Sequence, residues 1–132
     1  MLYIDKNSGI HVSRGDSAVL STIPERMNED GTSEPIIPDK NACVIFTVKS
    51  KYSGSTIIKR ILTAADYSNG LLSFSILPSE TDVTPYGYEY SFMYVPDKTR
   101  PYEAYTYAQG EFEIMHSVSK VSDLGGDENG NN

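Results

Sequence analysis

Apolar residues recur along this chain mostly at every second position, the spacing of strands that bury one face. Leu72, Phe74 and Ile76 alternate with Ser73, Ser75 and Leu77, and Tyr88, Tyr90, Phe92 and Tyr94 alternate with Glu89, Ser91, Met93 and Val95. Val44, Phe46 and Val48 share one face of the run Ala42–Lys49, and Phe112 and Ile114 alternate with Glu111 and Glu113. The β-branched run Thr56–Leu62 reads as a further strand. Ile10–Val12, Ala18–Ile23 and Tyr102–Ala108 are shorter candidates, the last with Tyr105 and Tyr107 on one face. The spacing predicts a core of Val44, Phe46, Val48, Leu72, Phe74, Ile76, Phe92, Phe112 and Ile114.

Turn chemistry separates these runs. Arg14-Gly15-Asp16 lies between the first two, and Asn28–Thr32 reads as a polar loop whose Asp30-Gly31 signals a tight turn. Ser53-Gly54-Ser55 reads as a hairpin, Ser68-Asn69-Gly70 as the end of a connection, and Pro96–Pro101 as a loop tip. Gln109-Gly110 is expected to bend the chain between its last two strands. Pro78–Asp82 predicts one helical turn capped by Ser79 or Thr81. Ala64–Tyr67 is too short for a real helix. About eight short strands at such intervals predict an all-β antiparallel sandwich or barrel. Residues 1–121 are expected to form this single domain. Residues 122–132, rich in Gly, Asn and acid, are expected to form a flexible tail.

With 132 residues, the chain is long enough for one core without disulfides or metals. Eleven basic and eighteen acidic residues give a net charge of −7. That sign disfavours nucleic-acid binding and docking on anionic membranes. No apolar run approaches the roughly 20 residues that span a bilayer, so no membrane insertion is expected. Met1–Asp5 lacks the features of a secretory signal. Cys43, alone and inside an apolar run, reads as a buried thiol in a protein made in a reducing cytosol.

Candidate chemistry is sparse. A zinc site needs clustered ligands, and His11, His116 and Cys43 are separated by tens of residues, so both histidines read as surface or edge residues. Glu111 and Glu113 read as the solvated face of a strand rather than a catalytic carboxylate pair. Asp16, Asp66 and Asp82 each sit by a turn, where Asp bonds the local backbone. Arg14-Gly15-Asp16 matches the integrin-binding tripeptide, but so short a match reads as turn chemistry. The tail lacks the spacing of an EF-hand, and no phosphate loop, nucleophile elbow or redox Cys pair occurs. The chain therefore reads as a non-enzyme without a cofactor. Its tyrosines cluster in Tyr86–Tyr107, where some pack in the core and others are available for protein or sugar contact. Tyr102, Tyr105 and Tyr107 are the candidate protein-contact residues.

The order of segments carries a resemblance. Ile10-His11-Val12-Ser13-Arg14-Gly15-Asp16 opens a pattern continued by Val44-Ile45-Phe46-Thr47-Val48-Lys49, Ile57-Ile58-Lys59 and Leu72–Ile76. Pro78–Asp82, Gly87-Tyr88-Glu89-Tyr90-Ser91 and Gly110-Glu111-Phe112-Glu113-Ile114 complete it, over about residues 8–115. This resembles the N-terminal domain of upper-baseplate proteins of tailed phages and related small phage and prophage proteins of Gram-positive bacteria, with Ser91 where an Asp is typical. The resemblance implies an immunoglobulin-like β-sandwich with no catalytic residue. It implies a structural or adaptor role in a phage tail or baseplate, in virion assembly or host attachment, with other phage structural proteins or further copies of itself as partners. A carbohydrate- or receptor-binding module and a phage-encoded inhibitor of a host defence protein are the alternative functions.

Overall fold

The computed structural model describes residues 1–119 and Leu124; the expected tail otherwise lies outside the described residues. Eleven strands follow in chain order: β1 (Leu2–Ile4), β2 (Ile10–Ser13), β3 (Ala18–Thr22), β4 (Glu25–Met27), β5 (Ser33–Pro35) and β6 (Cys43–Ser50), then β7 (Thr56–Leu62), β8 (Tyr67–Ser68), β9 (Leu71–Ile76), β10 (Tyr88–Val95) and β11 (Tyr105–Met115). A four-residue helix, α1 (Pro78–Thr81), links β9 to β10. The protein is mostly β, as the period-two spacing predicts.

Six strands form one sheet in the order β1-β2-β11-β10-β6-β7, and three form a second in the order β3-β9-β8. The two meet through their apolar faces. Val44, Phe46 and Val48 of β6 alternate inward, and Leu72, Phe74 and Ile76 of β9 answer them from the other sheet. The rings of Phe46 and Phe74 lie 4.9 Å apart across this gap, and Phe92 of β10 lies 4.8 Å from Phe46. Offset and tilted aromatic pairs of this kind add to the area they bury. All nine residues of the expected core are buried, because each occupies the inward parity of its strand.

Several expectations are corrected. The sheets are not wholly antiparallel: β2 runs parallel to β11, with Ile10 opposite Phe112 and Val12 opposite Ile114. Parallel neighbours need a long connection, and these two strands lie near opposite ends of the domain. Gln109-Gly110 does not bend the chain, since β11 runs through it unbroken. Gly110 instead admits the Ser8 carbonyl and the Tyr90 ring, which an added Cβ would crowd at 3.1 Å. α1 is not capped by Ser79 or Thr81. Leu77 is the N-cap, and the Glu80 carboxylate accepts its N–H at 2.9 Å. Thr81 is buried and donates to the Asp16 carbonyl at 2.8 Å. The polar loop Asn28–Thr32 is the turn of a two-stranded hairpin, β4–β5, too polar to show a strand pattern. β1 is likewise a strand that the sequence reading omits.

Arg60 faces inward from the free edge strand β7, where the alternation would place an apolar residue. Its guanidinium grips Glu80 of α1, one bond measuring 2.7 Å, and closes the gap between the two sheets. An inward-pointing charge on an edge strand also discourages pairing with other chains.

Candidate contact surface

The candidate tyrosines lie on β11 and on the loop that feeds it. That loop is held by its own polar groups. The Thr99 N–H and hydroxyl both bond to the Asp97 carboxylate, at 2.9 and 2.7 Å, and the Lys98 N–H reaches the Asn41 carbonyl at 2.8 Å. These bonds from Thr99 pull the Asp97 carboxyl below its usual range. Arg100 lies within ion-pair distance of Asp97 and Glu103. A 3-10 turn, Pro101–Glu103, then lifts Tyr102 into solvent, the residue being 79% exposed.

Tyr105 and Tyr107 are placed differently, and the three rings do not form one patch. Tyr105 donates to the Glu25 carbonyl at 2.7 Å and packs edge-on against Tyr94 at 5.9 Å. Tyr107 is half-buried, shares a 2.6 Å hydrogen bond with the Thr22 hydroxyl and packs on Phe92 at 5.9 Å. Burial pushes its phenol up to about 12. Tyr107 is also the extra residue of a β-bulge, because Phe92 pairs with Ala108 and Met93 with Thr106. Both hydroxyls tie the sheets' flank together, so of the three only Tyr102 offers a free ring.

Two further aromatics are exposed: Tyr52, which the period-two pattern does not mark, and Tyr86, the first of the clustered tyrosines. Tyr52, in the β6–β7 turn, is 88% exposed and rests over Gly87, where a Cβ would strike its ring. Tyr86 is 57% exposed at a φ of 70°, a backbone region that bulky side chains rarely adopt. The sequence signal for this pair is the Tyr86-Gly87 dipeptide just before a strand. The outer face of the six-stranded sheet carries rows of polar side chains: Lys59, Thr47, Ser91 and Gln109 lie in one register row, and Lys49, Glu89 and Glu111 in the next. Lys51 pairs with Glu111. Apart from Lys59, these rows line an open groove of about 620 Å³.

The other groups singled out in the sequence make local contacts. Cys43 is buried, which raises its thiol pKa. Arg14 and Asp82 join at 3.1 Å, and Gly15 takes a φ of 80°, so Arg14-Gly15-Asp16 is a turn docked on the end of α1. Asp66 accepts the Thr63 N–H at 2.9 Å and caps the 3-10 turn Ala64–Asp66. Glu113 and His11 are not the separate surface groups that the sequence suggests. They meet at 2.5 Å, and Asp5 reaches the other side of the same imidazole at 2.6 Å. Among the described residues no helix is long and apolar enough to cross a membrane. No family model, curated protein or solved structure matches this chain.

Proposed function

We propose that the protein is an immunoglobulin-like β-sandwich acting as a non-enzymatic structural or adaptor module of a phage tail or baseplate, made in the bacterial host cytoplasm and carried in the virion. The strand order supports the fold reading: β2-β11-β10-β6-β7 faces β3-β9-β8, with the first of these parallel to the last strand of the domain. Tyr88, the first residue of β10, donates to the Thr84 carbonyl four residues upstream at 2.6 Å. That arrangement resembles the tyrosine corner of immunoglobulin-type domains. Two pieces of the family pattern also meet in the fold. Arg14 bonds Asp82, and Thr81 bonds the Asp16 carbonyl, so two segments more than sixty residues apart in the pattern lock together.

The contact role rests on one observation, a Tyr102 that is 79% exposed on a loop already fastened by Asp97, Thr99 and Lys98. A large ring on a fixed loop loses little entropy on binding. Partners are other virion proteins or further copies of the chain. Tyr102→Ser should leave the melting temperature within about a degree, because an exposed ring buries little. Binding to purified tail and baseplate components, or self-association by light scattering, should weaken several-fold. A wild-type protein that stays monomeric at high concentration and binds no virion component overturns the proposal. The groove on the outer sheet face favours a second reading, a carbohydrate- or receptor-binding module, because its hydroxyl, amide and paired charged groups suit a polar ligand. Binding of glycans that survives Tyr102→Ser and is lost in Gln109→Ala selects that reading.

A further inference from the structure

His11 stands between three groups, from β11, from β1 and from the turn that joins β1 to β2. Its Nδ1 lies 2.5 Å from Glu113 Oε1 on β11, and its Nε2 lies 2.6 Å from Asp5 Oδ2, in the turn that joins β1 to β2. The Tyr3 ring of β1 stacks on the imidazole at 4.3 Å with only 5° between the planes. The His11 side chain is 16% exposed, so little water competes for its nitrogens.

The turn is built to deliver Asp5. Its Oδ1 accepts the N–H groups of Asn7 and Gly9 at 2.8 and 2.9 Å, leaving Oδ2 for the histidine. Ser8 takes a φ of 68°, and a Cβ on Gly9 would collide with the Asp5 carboxylate.

An imidazole donates from both nitrogens only when it is protonated. Two ionised carboxylates can only accept, so this geometry is complete only for His11 as a cation. A neutral ring keeps one donor and turns a lone pair toward the other carboxylate. Stacking on Tyr3 also weakens, because a ring face attracts a cation more than a neutral group.

We propose that His11 is a pH-operated latch whose proton clamps the N-terminal hairpin β1–β2 to β11 and holds the edge strand β1 over β2. At lower pH the latch is closed. As pH rises it opens, and the outward edge of β2 loses its shield. The titratable groups facing the ring are Asp5 and Tyr3 from the β1 side and Glu113 from β11. The Asp5 hydrogen bond, partly opposed by burial and helped by Glu113, raises the His11 pKa above its ordinary value. The same bond lowers the Asp5 carboxyl. A raised histidine pKa contributes stability that is complete below the unfolded value and is lost as pH climbs through the folded one.

The test is a proton NMR titration of His11 in the folded and the urea-unfolded chain, joined to amide exchange in β1. His11 should titrate at higher pH when folded. Glu113→Gln and, separately, Gly9→Ala should each lower that midpoint while the sheet spectrum stays native. Exchange of the Tyr3 and Ile4 amides, corrected for its intrinsic pH dependence, should accelerate several-fold across the midpoint in the wild type. It should not do so in His11→Phe, whose ring can still stack but carries no proton. A His11 midpoint at or below the unfolded value overturns the latch. So does β1 exchange that ignores the midpoint, or a Glu113→Gln variant that titrates like the wild type.

Discussion

Phe74→Ala tests whether the two sheets are held together by the aromatic cluster at their interface. Phe74 is 8% exposed, lies 4.9 Å from Phe46 and 6.2 Å from Phe92, and comes from the smaller sheet. Truncation removes its transfer energy and leaves a cavity, together about 3–5 kcal/mol. Tilted ring pairs add about 0.5–1.5 kcal/mol beyond burial, which places the loss in the upper part of that range unless β9 settles inward. An unfolding entropy of about 2.1 cal/mol/K per residue gives about 0.28 kcal/mol/K for a chain of 132 residues. The melting temperature should therefore fall by about 10–20 °C, read by circular dichroism at a fixed scan rate. Phe46→Ala, at a fully buried site, should cost at least as much. Because the two rings touch, the double variant should lose less than the sum of the singles, by about 0.5–1.5 kcal/mol. A Phe74→Ala shift below about 3 °C would refute the reasoning, since no interface ring of that size can be lost so cheaply.

Further outcomes follow from two polar ties at the flank of the sandwich. Glu80→Ala strips Arg60 of its partner and Leu77 of its N-terminal acceptor; with both side chains about a fifth to a quarter exposed, the loss should fall at about 1–3 kcal/mol, between a surface and a buried pair, and a denaturant midpoint equal to wild type would contradict it. Burial pushes the Glu80 carboxyl up, but Arg60 and the Leu77 N–H outweigh it and leave the group lowered, so this contribution should be present above the unfolded carboxylate value and fade as pH falls through the folded one. Tyr107, its phenol pushed up to about 12, should be among the last tyrosines to ionise in an ultraviolet titration. Its raised value contributes stability that is complete below about 10 and is lost as pH rises toward 12. Thr22→Val, which leaves the Tyr107 hydroxyl without its partner, should cost about 1–3 kcal/mol, and a neutral effect would mean that water replaces the bond.

Alternation along the chain is enough to assign the strands that bury one face and the residues they bury. Period two is a local signal, and the inward parity of Val44, Phe46, Leu72, Phe74, Phe92 and Phe112 can be read without knowing which strand lies beside which. The sequence also placed the turns at Gly15, Gly54 and Gly70, where only a residue tolerant of positive φ fits easily. What lay beyond it were properties of pairing. β1 and the β4–β5 hairpin have no hydrophobic alternation of their own and become strands only because a neighbour supplies their hydrogen bonds. The parallel match of β2 to β11 depends on where the two ends of the domain meet, which no window of residues records. The tyrosines show the limit most directly. Tyr102, Tyr105 and Tyr107 look alike in sequence, yet the Glu25 carbonyl and the Thr22 hydroxyl, some eighty residues away, bind the last two and leave the first exposed. His11 and Glu113 stand 102 positions apart, and Asp5 appears beside them only through a turn fixed by Ser8 and Gly9. A hydrogen-bonded cluster is set by distances of a few ångströms, and chain separation says nothing about those until the sheet has formed.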